Sequence, residues 1–133
     1  MHHPPVVAGI DWMDPAPEEP WIERFRRVLT GQHQVQAIHC GHLHRPVTTR
    51  FAGIPLGVTP SVAPLVAMDL SPVDRHLPDD RELITAAPPS YALHRWDGRS
   101  LVSHYEQIGD WPVLARFTPP LQPMIEGMFA ERE

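Results

Sequence analysis

Proline limits the folds open to this sequence more than any other residue does. Seventeen prolines in 133 residues each fix φ near −65° and withhold a backbone donor. They cut the chain into short elements and imply long, ordered loops. The length is that of one ordinary domain, enough to bury a core. Hydrophobic residues at 42% and charged residues at 20% place the chain among globular rather than disordered sequences.

Between the prolines the pattern resolves into short helices and strands. Residues 14 to 19 (DPAPEE) form a loop into a helix. Pro20 suits the first helical position, and Glu18 and Glu19 suit the positive end of the helix dipole. Trp21, Ile22, Phe25, Val28 and Leu29 recur at the spacing of one helical face, and Gly31 ends the helix. Residues 35 to 40 (VQAIHC) read as a buried strand, broken by Gly41, with His42-Leu43-His44 in the loop after it. Residues 46 to 51 and 54 to 59 read as strands joined at Gly53, and 64 to 70 as another strand. Residues 71 to 89, rich in proline and charge, read as loop. Residues 91 to 96 and 99 to 106 flank Asp97-Gly98, a two-residue hairpin signal that would set Leu93 opposite Val102. Residues 121 to 131 suit a short terminal helix. No internal repeat is present.

The net charge of −5 carries no basic stripe of the kind a nucleic-acid binder shows. The nearest approach, Arg24, Arg26 and Arg27, lies in a helical pattern beside Glu23. Cys40 is the single cysteine, so no internal disulfide is available, which suits a reducing compartment. No stretch approaches the ~20 apolar residues of a membrane span, and the first residues show no basic-then-apolar signal pattern. A cytoplasmic protein is the expectation.

The residues that carry chemistry are His2, His42 and His44. Neutral imidazole is the commonest side-chain ligand for borderline transition metals. His42 and His44 flank one residue in a loop opened by a glycine, so their rings can reach neighbouring positions in one pocket. Gly41 lets the chain turn sharply as it leaves the strand, and Pro4 and Pro5 stiffen the segment after His2. Three histidines would close most of a tetrahedral site. The alternative is loop histidines with no metal. A His-His-Pro-Pro and a Gly-His-x-His in one short chain weigh against it.

Those two motifs resemble a known family. His2-His3-Pro4-Pro5 looks like the HHPP loop of the calcineurin-like metallophosphoesterases. Cys40-Gly41-His42-Leu43-His44 looks like their GHxH loop, with a helix and a buried strand between the two in the expected order. Thr59-Pro60-Ser61-Val62-Ala63, a strand and a late hairpin are similar to the stretch after GHxH in the bacterial class III cyclic-nucleotide phosphodiesterases and glycerophosphodiesterases. The resemblance implies an α/β fold, a β-sandwich flanked by helices, of which residues 1–133 would be the C-terminal part. It implies His2 and His42 as ligands of one metal, His44 as a ligand of the other, and His3 as a residue beside the ligands. It implies two divalent ions (Mn, Fe or Zn) and a small phosphoester substrate, 3′,5′-cyclic nucleotides among them. The family also uses an Asp-x-His, a bridging Asp and an Asn-His ahead of HHPP, and none stands ahead of His2 here. Without the bridging carboxylate two metals are not held ~3.5–4 Å apart, so the expectation is an inactive or nearly inactive polypeptide. The competing expectation is a metal-binding or self-associating module with no catalysis, since half a sandwich exposes apolar sheet.

Other candidates are weaker. Asp11 and Asp14 lie near the expected pocket, but a solvated loop with Asp14 capping the helix is favoured. Trp12 and Met13 fit the pocket rim or the core. His33, His39, His76, His94 and His104 have no motif around them and read as surface or satisfied strand residues. Cys40 reads as a small buried hydrophobe. No Ser-His-Asp pattern, phosphate-cradling Gly-rich loop or CxxC pair is present.

Overall fold

Helix α1 spans Pro20–Leu29 in the computed structural model, which describes residues 1–132. Its start follows the sequence: Pro20 occupies the first turn, where its missing N–H would have had no partner anyway. Ile22 and Leu29 are buried, with Trp21 and Phe25 half-buried beside them. Val28, expected on the same face, is 67% exposed. The helix meets the sheet along a stripe too narrow to include it.

The sheet under α1 has three strands, β1 (Ile38–Cys40), β2 (Val47–Phe51) and β3 (Ile54–Val58), in the order β1-β3-β2. β3 pairs antiparallel with β2 and parallel with β1. Phe51 pairs with Ile54 across a two-residue turn in which Ala52 and Gly53 both have positive φ, 51° and 82°. That left-handed pair matches the twist of the two strands. Alternation then sorts the faces. Ile38, Cys40, Leu56 and Val58 join Ile22, Leu29 and Phe51 in one core. Phe25 stacks on Phe51 at 5.6 Å between ring centroids, and the Arg26 guanidinium lies 4.7 Å over the Phe51 ring.

His39 and Gly57 face the other side of this sheet, paired in register. A hairpin, β6 (Ser90–Trp96) and β7 (Leu101–Gln107), covers them. A Cβ on residue 57 would lie 3.2 Å from the Tyr105 hydroxyl and 3.5 Å from His39 Nδ1, so any other residue there would push Tyr105 of the hairpin outward by a few tenths of an ångström. The hairpin forms where the sequence places it, but Leu93 stands opposite His104, and Val102 opposite Arg95. The turn holds four residues because the Asp97 carboxylate accepts hydrogen bonds from the Arg99 and Ser100 amides, an Asx-type closure that outcompetes the two-residue turn. The slip of two residues preserves the face each side chain takes.

The strand expected over 64 to 70 shrinks to β4 (Leu65–Val66), which pairs antiparallel with β5 (Ile84–Thr85) inside the stretch expected to be loop. The loop between them is ordered by Arg81, whose guanidinium donates to the carbonyls of Ser71 and Pro72 and pairs with Asp79. A 3₁₀ turn (Pro119–Leu121) leads into α2 (Gln122–Ala130). The fold class is mixed α/β with an antiparallel C-terminal hairpin, as the sequence led one to expect. No helix among the described residues is long and apolar enough to cross a membrane.

Candidate metal centre

The site is assembled at the end of β1. The Met1 nitrogen donates to the His39 carbonyl (2.9 Å), and the Gly41 amide donates to the His2 carbonyl (3.0 Å). These two bonds lay the first residues alongside the strand end. Pro4 and Pro5 are buried and anchor the segment from the far side. Gly41 lies against the His2 ring and does not make a left-handed turn. A Cβ there would lie 3.5 Å from His2 Nδ1, an ordinary contact distance, and Gly41 is not among the residues of positive φ.

The left-handed residues are instead His42 (φ 69°) and His44 (φ 53°). Each such conformation costs a non-glycine residue about 1–2 kcal/mol, and residues held this way cluster at functional sites. Leu43 between them is fully buried, at 0% exposure. The loop therefore works as an anchor with two arms: Leu43 enters the core, and the histidines splay outward on either side. Thr59 closes the base of the loop, donating its amide and hydroxyl to the Cys40 carbonyl at 2.8 and 3.1 Å.

Hydrogen bonds orient both rings. His42 Nε2 lies 3.2 Å from the Met13 carbonyl, and His44 Nδ1 lies 2.8 Å from the Pro64 carbonyl. A carbonyl only accepts, so each of these nitrogens carries the proton and the other nitrogen of a neutral ring keeps its lone pair. Metal-ligating histidines are held by this arrangement. Burial lowers the His42 pKa from its ordinary value, and the neighbouring His3 adds to that effect, which favours the neutral form that can bind a metal.

His2, His3 and His42 each offer a ring nitrogen, and the three nitrogens lie within 4.8 Å of one another. The ring centroids are 5.2 Å apart for His2 and His42, 4.8 Å for His2 and His3, and 4.1 Å for His3 and His42. His44 lies outside this triplet. It lines a cavity of about 410 Å³ together with His2 and His42. A second cavity, of about 590 Å³, opens on the other side of the same two residues and is lined by His3, Met13, Glu19 and Trp21. His2 and His42 thus form the partition between two concave spaces. The donor set suits a borderline transition ion.

The nearby carboxylates are engaged elsewhere. Asp14 accepts from the Ala8 and Gly9 amides at 2.8 and 2.7 Å, and so fixes the loop that carries the site rather than capping α1. Glu19 stands at the helix start and accepts from the Ala16 amide and the Trp21 indole. Asp11 accepts from the Val73 amide at 2.7 Å. His33, His76 and His104 are exposed. His39 departs from expectation. Its two ring nitrogens are buried without a hydrogen-bond partner among the described residues, and its ring lies 3.9 Å from that of His94. Strand alternation could have shown that His39 faces away from the helix, but not that a hairpin covers it.

No family model matches the chain. Curated relatives do. The chain is similar to one part of each of two bacterial phosphodiesterases, in line with the resemblance carried by the two histidine loops. A probable glycerophosphodiester phosphodiesterase, GpdQ, of Arcobacter nitrofigilis is 36% identical over 110 residues, which cover 82% of this chain and 38% of the relative. A probable cyclic nucleotide phosphodiesterase of Rhodopseudomonas palustris is 31% identical over 108 residues, 78% of this chain and 35% of the relative. The chain spans little more than a third of the length of the relatives it matches.

Proposed function

We propose that this chain carries the histidine ligands of a two-metal phosphodiesterase centre. His2 and His42 serve one divalent ion and His44 the other. The observation that carries the reading is the meeting of His2 with His42 at the end of β1, from positions 40 residues apart in a sequence similar to two phosphodiesterases. When bound, the metals supply Lewis acidity toward the phosphoryl oxygens and a hydroxide for attack on phosphorus. The chain's own residues orient and exclude. The Met13 and Pro64 carbonyls hold the His42 and His44 rings in one tautomer, and the two cavities flanking the partition receive the small phosphodiester and the group that leaves it. The names of the relatives point to glycerophosphodiesters and cyclic nucleotides as substrates. Residues 1–133 act in this reading as the C-terminal part of the catalytic domain, with the bridging carboxylate and the asparagine coming from sequence outside them.

One observation favours a second reading, a metal-binding or self-associating module without turnover. The three-residue cluster is made of imidazoles alone, and Asp11 and Asp14 are bound to backbone amides. Metal titration and hydrolysis assays decide between them. The 133-residue chain should bind Mn²⁺ or Zn²⁺ and hydrolyse bis(p-nitrophenyl) phosphate and 3′,5′-cyclic AMP at background rates only. Joined to the N-terminal portion of the Arcobacter relative, it should gain Mn²⁺-dependent hydrolysis that His42→Ala abolishes. Metal binding by a joined protein that stays inactive would select the module. Turnover unaffected by His42→Ala would sink the metal assignment.

A further inference from the structure

We infer that the β6–β7 hairpin is a proton-operated cover on the open face of the sheet, docked while His39 and His94 are both neutral and released when the pair takes up a proton. Metal binding plays no part in it. The hairpin is a separate two-stranded sheet. At its root the Ser90 amide donates to the Ser61 carbonyl at 2.9 Å, and the Ile108 amide closes the base on the Pro89 carbonyl at 2.7 Å. Beyond the root it meets the three-stranded sheet through side chains, where Tyr105 and His94 lie over Gly57 and His39.

This contact has no place for a charge. The His39 and His94 rings are 3.9 Å apart between centroids, and His94 Nδ1 lies 2.8 Å from Ser103 Oγ across the hairpin, which holds the His94 ring in place. Both ring nitrogens of His39 are buried without a partner among the described residues. A protonated ring would bury a charge there with both of its donors unmet. The groups that face His39 are the His94 ring from β6, the Tyr105 hydroxyl from β7 and the Met1 ammonium, which donates to the His39 carbonyl at 2.9 Å. Its partner on β3, Gly57, offers no side chain. No ion pair among the described residues includes His39 or His94. Burial, the His94 ring and the ammonium all act in one direction, holding the His39 pKa below its ordinary value. The docked hairpin therefore binds the proton less readily than the released one. Docking is complete above the unperturbed value of ~6.5 and is lost as pH falls through the lower docked value.

Release reaches the candidate metal centre. Ser90, Tyr91 and Ala92 wall the smaller cavity together with His2, His42 and His44. Ser90 is buried at the root, while Tyr91 and Ala92 follow the hairpin, so mild acid opens the cavity on that side.

Nuclear Overhauser contacts in the 133-residue chain test this. The contact between the Tyr105 ring and the Gly57 α protons reports docking, the stacked Phe25–Phe51 pair reports the core, and the His39 ring ¹⁵N shifts report its protonation. The Tyr105–Gly57 contact should be present at about pH 8 and lost at about pH 5, with the midpoint of the His39 titration, while Phe25–Phe51 persists. In His39→Gln it should survive at both. A contact that outlasts protonation of His39 in the wild type overturns the inference, and so does equal loss in His39→Gln. Simultaneous loss of the Phe25–Phe51 contact overturns it too, because the event is then unfolding of the whole chain. If His39→Gln does not fold, agreement or separation of the two wild-type midpoints decides alone.

Discussion

Leu43 has the most to do at the scale of single residues, because it holds two candidate ligands without being one. It is fully buried between two left-handed histidines. Truncation to alanine removes its contacts and leaves a cavity, a change that costs about 2–5 kcal/mol in well-packed cores. Leu43→Ala is expected to lower the urea midpoint accordingly and to weaken metal binding, with no ligand removed. Val28→Ala, at an exposed position of α1, should change stability by no more than about 0.5 kcal/mol. His39 supplies a second test. Burial and the facing His94 hold its pKa below the ordinary value. The unfolded chain therefore binds the proton more readily, and stability rises with pH across this range. The contribution is fully present above the unfolded value of ~6.5 and is lost as pH falls through the lower folded value. Denaturation midpoints at pH 8 and pH 5.5 should differ more for wild type than for His39→Gln. Equal pH dependence in the two would show that the His39 ring is not buried by the hairpin.

The elements are short, and turns set their registers. The β2–β3 turn was legible as two strands meeting at Gly53, and the structure adds that Ala52 shares the left-handed conformation. Gly53→Ala meets no atom within 4 Å but is strained at φ 82°, so a loss of about 1–2 kcal/mol is expected, measured by thermal or chemical unfolding. Asp97-Gly98 marked the second hairpin correctly and its register incorrectly, because the Asp97 side chain, not glycine alone, decides how many residues the turn holds. β4 came out shorter than the strand expected over 64 to 70, and β5 escaped the sequence reading altogether, for a different reason. Two-residue strands have too little periodicity to stand out, and their pairing across a long proline-rich loop is a tertiary event.

At the scale of the whole chain, apolar side chains collect outside the core. Leu114 is 94% exposed, Phe117 73% and Phe129 61%, with Trp111 at 58%. Exposed groups on this scale favour association, and the net charge of −5 opposes it only in part. Sedimentation velocity of the 133-residue chain at tens of micromolar should show dimers or larger species, and a Leu114→Ser/Phe117→Ser variant should shift the distribution toward monomer. A monomer with a single sharp boundary for wild type would remove self-association from the proposed function.

The sequence by itself determined the local events: the helix between Pro20 and Leu29, the strand ending at Cys40, the hairpins, and two histidine loops distinctive enough to carry a family resemblance. Each rests on spacing or backbone chemistry within a few residues, where the chain alone carries the information. Only the tertiary structure decided which imidazoles meet. It sent the Asp14 carboxylate to two backbone amides, turned His44 to the Pro64 carbonyl and laid a hairpin over His39. It also brought His3, which the motif left beside the ligands, into the cluster with His2 and His42. Apart from the Asp14 bonds, which span five and six residues, these are contacts between segments about 20 or more residues apart, fixed by the packing of α1 and the three-stranded sheet around Leu43, and no local pattern specifies which rings that packing brings together.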